Sequence, residues 1–357
     1  MIINRTPFRI SFLGGGTDYP SWYLKHGGSV LATAINKYCY ITCRVLPPFF
    51  EHRLRVVYSR METCGSFAEI KHPAVRETMR FLKIERGLEI HHDGDLPARS
   101  GMGSSSSFTV GLLHTLYAHK GVMPSKEQLM LESIHIEQNM IKETVGSQDQ
   151  VTAAYGGLNK TVFSTDGEID VTPLTLSAKR LEEFNSHLML FYTGIKRTAS
   201  DVAKGYVDEL DKKEKTMKRL TAMVDEGLKI LQDGSDLSAF GELLHESWRI
   251  KKSLSGEVSN PRLDSLYDKA MKSGASGGKI TGAGGGGFML FLVPPEHQME
   301  VREALHEQIH VPFRFEHKGS EIIYYEPARE DFSDSEKDRD GRNIKAFAEL
   351  HDIKKEV

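Results

Sequence analysis

The chain has 357 residues, of which 39% are apolar and 27% charged, with a formal net charge of −3. That length exceeds what one hydrophobic core usually serves, so two lobes are expected, and the slight acidic excess excludes a sequence-independent nucleic-acid binder. The strongest apolar run, Phe288–Val293, is too short for a bilayer, and charge and proline interrupt Met1–Pro7 before a signal-peptide pattern can form.

In chain order, Arg5–Leu13 reads as a strand entering the tight turn Gly14-Gly15-Gly16. Ser29–Val45 is a long second strand, and Arg53–Tyr58 is expected as its antiparallel neighbour after the Pro47-Pro48 turn. A helix over 73–86 and the strand Leu88–His92 follow. Cys39, Cys43 and Cys64 give neither a disulfide framework nor zinc spacing, which fits a reducing, cytoplasmic setting. His91-His92-Asp93 is expected at a solvent edge, because adjacent strand residues face opposite sides and do not converge on a metal.

The segment Leu96-Pro97-Ala98-Arg99-Ser100-Gly101-Met102-Gly103-Ser104-Ser105-Ser106-Ser107 is the most informative in the chain. A proline-led, glycine-broken loop runs into four hydroxyls and then a helical apolar pattern. A helix start has unspent N–H groups and partial positive charge, and glycines allow close approach to a phosphate. Pro97, Gly101, Met102, Gly103, Ser104, Ser105 and Ser106 are therefore the candidate nucleotide-phosphate cradle; one capping serine would account for only part of it.

Helices are expected at 104–119, 125–141 and 146–154, and strands at 158–164 and 187–192. Residues 199–254 read as helical, with Arg249, Lys251 and Lys252 on a solvated face, and Pro261–Ser273 adds a helix. Two strands flank Gly282–Gly287; a helix over 296–308 and short strands at 313–317 and 321–325 complete the second lobe. The expected domains are 1–185, 186–328 and a charged extension, 329–357. Gly282, Gly284 and Gly287 satisfy G-x-G-x-x-G, but a strand rather than a helix follows, which excludes the dinucleotide fold; no Lys stands where a Walker A loop needs one.

A hydroxyl and a carboxylate, Ser105 with Glu137, offer an oxygen-only ligand pair suited to Mg²⁺. Asp149 can serve as general base and Arg9 can stabilise charge developing on a moving phosphoryl group; alternatively, Asp149 is simply an acidic residue at a helix start. Lys196 and Arg197 are either a grip for an anionic substrate group or loop charges.

Pro7–Tyr19, Pro97–Ser106 and Lys279–Gly287, in that order, resemble the three motifs of the GHMP kinase superfamily, with landmarks between residues 5 and 325. The resemblance implies a two-lobed α+β fold, with an N-terminal mixed α/β lobe and a C-terminal ferredoxin-like lobe, and an enzyme using ATP and Mg²⁺. The Gly-Gly-Gly-Thr-Asp-Tyr form is similar to the branch acting on D-glycero-D-manno-heptose 7-phosphate, and implies phosphorylation at the anomeric O1. By that resemblance Arg9 and Asp149 flank the sugar O1, and Asp18 with Tyr19 belongs to the sugar-binding turn. Gly146, in Gly-x-x-Asp-Gln, and Gly284 and Gly285 line the substrate. Glu137, twelve residues before Asp149, and Ser105 take the metal positions. Where galactokinases carry an acidic residue and a histidine, this chain has Gly15 and Gly16, leaving room for a larger, phosphorylated sugar. A fucokinase-like sugar-1-kinase and a catalytically silent sugar or nucleotide sensor are the alternatives. The expected partners are small molecules, with neither nucleic acid nor membrane, and a homodimer is the assembly allowed for.

Overall fold

The computed structural model describes residues 1–50, 52–85, 87–195, 207 and 210–328. The N-terminal lobe is built on β1 (Ile2–Leu13) and β2 (Gly28–Val45), paired antiparallel along most of their length. Residues 6–13 of β1 are buried on both faces, so the in–out alternation of its start disappears from Thr6 onward. Pro7 cannot donate to a ladder, and the register slips immediately after it.

The eighteen residues of β2 serve two partners along its other side. Gly28–Thr33 pairs with β6 (Leu158–Phe163), and Cys39–Val45 with β5 (Leu88–Gly94). β3 (Leu54–Val57), β4 (Met61–Cys64), β7 (Ile169–Pro173) and β12 (Glu321–Tyr325) complete an eight-stranded sheet, ordered β12-β1-β2-β5-β3-β4 with β6 and β7 branching from β2. Its helices are α1 (Pro20–His26), α2 (Pro73–Leu82), α3 (Ser104–His119), α4 (Lys126–His135) and α5 (Gln148–Tyr155). α3 packs on β1 and β2 among α2, α4 and α5, and nearly every residue from Ser106 to Ala118 is buried.

The second lobe has a four-stranded antiparallel sheet, β11 (Ile309–His310), β8 (Leu188–Tyr192), β10 (Phe288–Leu292) and β9 (Gly277–Ile280), in that order. Around it lie α6 (Ala178–Ser186), α7 (Glu214–Gln232), α8 (Leu237–Leu254), α9 (Pro261–Lys272) and α10 (Gln298–Ala304). The rings of Phe12, Phe184 and Phe240 meet at 4.9–5.9 Å between centroids, welding β1 to α6 and α8 across the lobes. The two-lobed α+β expectation holds.

Several elements differ from expectation. β3 is not the neighbour of β2: β5 takes that edge, and β3 pairs parallel to β5 and antiparallel to β4. Pro47 and Pro48 offer no ladder donors, so the chain leaves the sheet there. The helix expected over 125–141 ends at His135 and passes into a single π turn, Ile136–Met140. Residues 313–317 form no strand beyond a bridge from Phe315 to Ile35, and β12 joins β1 rather than the second lobe. The cysteines are free and buried. His91 contacts Glu89 at 2.8 Å, His92 packs on Phe108, and the described residues hold no cluster of three metal-ligating side chains. None of the described helices is long and apolar enough to cross a membrane.

Candidate active site

Arg9, midway along β1, is the hub. Its Nε and Nη2 donate to the two carboxylate oxygens of Asp149 at 2.6 and 2.8 Å, and its Nη1 donates to the Gly101 carbonyl at 2.7 Å. The planar guanidinium fork matches a carboxylate in this bidentate geometry. Arg9 is buried, whereas the Asp149 side chain keeps 23% exposure and so faces outward from the pair.

The Pro97–Gly103 loop is pinned to this hub. The Arg9 N–H donates to the Met102 carbonyl at 3.1 Å, Met102 is fully buried, and Ser100 Oγ donates to the Pro97 carbonyl at 2.6 Å. Gly103, at φ 73°, precedes α3, and no side chain caps the helix. Its opening N–H groups therefore remain available to an anion. A Cβ on Gly103 would lie 3.0 Å from Arg9 Cγ and 3.4 Å from Asp149 Oδ2, so the bare backbone brings the loop onto the ion pair.

The four serines diverge, as a turn of about 100° per residue dictates. Ser104 Oγ accepts the Arg99 N–H at 3.3 Å, Ser105 is exposed, Ser106 Oγ donates to Glu137 at 2.8 Å, and Ser107 Oγ donates to the Pro7 carbonyl at 2.8 Å. The hydroxyl that donates to Glu137 is thus that of Ser106, while Ser105 stands beside it on the exposed side of the helix start. Glu137, at the π turn, also accepts from Thr109 Oγ1 at 2.6 Å and from Gln150 Nε2. Burial pushes its carboxyl up to about 7, against the pull of those donors.

Opposite lies the turn after β1. Asp18 is 1% exposed and accepts the N–H groups of Gly16 at 2.9 Å and Gln148 at 3.3 Å, while its own carbonyl accepts from Ser147. Burial raises its carboxyl above the usual range, and the charge of Asp149 adds to the rise. A Cβ on Gly146 would sit 2.0 Å from Asp18 Oδ2, so only glycine admits this contact. Gly15 and Gly16 put no side chain into the turn, and the Tyr19 carbonyl accepts the N–H groups of Trp22 and Tyr23 in α1.

The glycine-rich loop between β9 and β10 closes the site from the second lobe. A Cβ on Gly282 would meet Gly101 Cα at 2.5 Å, and one on Gly287 would meet the Ser100 carbonyl oxygen at 2.0 Å. Two loops from different lobes therefore touch backbone to backbone. Gly284 and Gly285 lie against Val258, the latter by an N–H···O bond of 2.8 Å. Lys196 and Arg197 fall outside the described residues.

Two lysines went unrecognised in the sequence. Lys251, expected on a solvated face, instead reaches inward and donates to the Gly282 carbonyl. Lys279, on β9, is 4% exposed and donates to the Phe12 carbonyl at 2.7 Å. A lone lysine in the otherwise apolar strand 277–280 was the signal available for Lys279; one among several cations on a helix gave none for Lys251.

Comparison with known proteins reveals two family matches: the GHMP kinases N terminal domain over residues 70–157 and the GHMP kinases C terminal domain over 228–311. The chain is 28% identical over 321 residues to the D-glycero-alpha-D-manno-heptose 7-phosphate kinase of Campylobacter jejuni, covering 86% of this chain and 94% of that protein. It is 27% identical over 330 residues to the bifunctional fucokinase/GDP-fucose pyrophosphorylase of Arabidopsis thaliana, covering 84% of this chain and 31% of that longer protein. Among solved structures, a D-glycero-D-manno-heptose 1-phosphate kinase from Bacteroides thetaiotaomicron superposes with a TM-score of 0.75 at 23% identity, covering 91% of this chain and 100% of that one. The galactokinase of Lactococcus lactis superposes at 0.69 with 17% identity, covering 90% and 95%. At these identities the structures establish a shared fold.

Proposed function

Because this chain belongs to the GHMP kinase superfamily, and its sugar-kinase relatives indicate an ATP-dependent phosphotransferase acting on a sugar hydroxyl, we propose that it phosphorylates the anomeric O1 of D-glycero-D-manno-heptose 7-phosphate. The product is the 1,7-bisphosphate, a precursor of nucleotide-activated heptose. The observation that carries this reading is the pairing of Asp149 with Arg9 against Gly103, at the uncapped start of α3, together with a turn in which Gly15 and Gly16 put no side chain beside the buried Asp18.

In this reading Asp18 and the Gly146 turn receive the sugar, Asp149 orients the acceptor hydroxyl and takes its proton, and Arg9 holds Asp149 and balances charge on the phosphoryl oxygens. For a loose transition state, positioning and charge do most of the work. The open amides at Ser104–Ser106, reached past side-chain-free Gly101 and Gly103, suit the phosphates of ATP. For Mg²⁺ the donor chemistry fits: a buried carboxylate, Glu137, ringed by the hydroxyls of Ser106 and Thr109, with Ser105 one residue away. Bound there, Mg²⁺ would neutralise polyphosphate charge.

A coupled assay of ADP release tests the reading. Turnover with heptose 7-phosphate and not with fucose or galactose supports it. Turnover with fucose favours a fucokinase-like enzyme, the second reading, which the likeness to the Arabidopsis protein keeps in view. No turnover with any sugar favours a nucleotide-binding sensor.

A further inference from the structure

Lys251 lies in the last turn of α8, and its ammonium is turned away from Lys252, which pairs with Asp264 at 3.0 Å. It donates instead to the carbonyl of Gly282, the residue seated on Gly101 of the Pro97–Gly103 loop. The Gly101 carbonyl is in turn held by Arg9. A chain of direct contacts therefore runs from Lys251 through both glycine loops to the Arg9–Asp149 pair.

The charges facing Lys251 come from other elements: Arg9 on β1, Asp18 after it, Asp149 on α5 and Lys279 on β9. The bonds of the two carboxylates are directed elsewhere. Asp149 is held by Arg9, and Asp18 accepts backbone N–H groups. Lys251 accordingly has a carbonyl and not a carboxylate as its hydrogen-bond partner among the described residues. An ammonium on one neutral acceptor, at the junction of two glycine loops, has donors to spare for an anion.

We propose that Lys251 grips the phosphoryl group in transfer, contacting the γ-phosphate of bound ATP from the side of the second lobe. Arg9 then serves the same group from the first lobe, so the reacting phosphate lies between cations from both lobes. Burial, followed by the neighbouring charge of Arg9, lowers the Lys251 ammonium to about 7, so the free protein holds it only partly protonated at neutral pH. An anion placed against it favours the charged form and draws in a proton.

The inference rests on the kinase reading but not on the identity of the sugar, and its test uses nucleotides alone. Calorimetric titration of wild type, Lys251→Met and Lys251→Arg with Mg²⁺ and either ADP or a non-hydrolysable ATP analogue, at pH 8 in buffers of different ionisation enthalpy, separates the γ-phosphate from the rest. For Lys251→Met the expected result is a loss of roughly tenfold in affinity for the ATP analogue with less than twofold for ADP. Proton uptake on binding the analogue should disappear in that variant, and Lys251→Arg should restore most of the affinity. Equal losses for both nucleotides, unchanged affinity for the analogue, or proton uptake that survives in Lys251→Met would each overturn the proposal. Wild-type melting with a failed Arg rescue would do so too. Failure of heptose 7-phosphate as acceptor would overturn the sugar reading and leave these outcomes intact.

Discussion

Both oxygens of Asp149 are taken up by Arg9, and the carboxylate is the one acidic group of the site with an exposed face. Asp149→Asn keeps that shape but removes the proton acceptor. Turnover should fall by roughly 10²-fold or more while ATP affinity changes little, as single-turnover rates and nucleotide titration will show. Unchanged turnover would remove Asp149 from its role. Asp18 gives a pH-dependent prediction. Its carboxyl is raised by burial, so the folded protein holds that proton to higher pH than the unfolded chain, and the associated stability is lost as pH rises past the ordinary carboxylate range. Asp18→Asn lacks this loss, so its melting temperature should rise relative to wild type between pH 5 and pH 8; a constant difference contradicts it. At this scale Arg9, Asp149 and Glu137 were legible because their spacing matches a known motif set. That Ser106 is the serine bonded to Glu137 was not legible, because adjacent helical residues differ by about 100° in direction, which a run of identical serines hides. Lys251 was missed because Arg249, Lys251 and Lys252 have the composition of a solvated face, and only the packing of α8 on β9 decides which one turns inward.

At the scale of elements, the site depends on two glycine loops meeting without side chains. Gly287→Ala would force a non-glycine residue to φ 89° and bring a Cβ to 2.0 Å from the Ser100 carbonyl. The expected cost is about 2 kcal/mol or more in stability, together with weaker Mg–ATP binding, read from urea unfolding and nucleotide titration. Lost stability with intact nucleotide affinity would mean that this seat does not shape the Pro97–Gly103 loop. The strands and helices around the loops were largely readable, because alternation in β1 and β2 and the apolar pattern after Ser104 are strong local signals. Pairing partners were less so. Which strand borders β2 depends on β5, encoded some forty residues later, and the π turn that carries Glu137 leaves the periodicity before it unchanged.

For the whole molecule, two partly buried histidines set an acid limit. Burial lowers both His72 and His114 to about 4, with His92 adding to the effect at His72. Each is neutral in the fold and takes a proton on unfolding below about 6.5, so stability present at neutral pH is lost as pH falls from there toward 4. By pH 5 the loss should be about 2 kcal/mol for each histidine. His114→Gln should reduce the stability lost between pH 7.5 and pH 5 by a similar amount, measured by urea unfolding, and an identical loss in both proteins would refute it. The division into two lobes followed from length alone, but the return of the chain at its far end did not. Short strands near the end of a sequence carry no mark of which sheet they will join. That return has a consequence for biogenesis. Met1 donates its amino group to the Glu326 carbonyl at 2.5 Å, and β12 pairs with the opening residues of β1. On the ribosome, the strand bearing Arg9 therefore emerges well before β12 and keeps an unzipped flank until about three hundred further residues have been translated. A nascent chain in that interval presents a sticky ribbon edge, a natural client for a chaperone holdase.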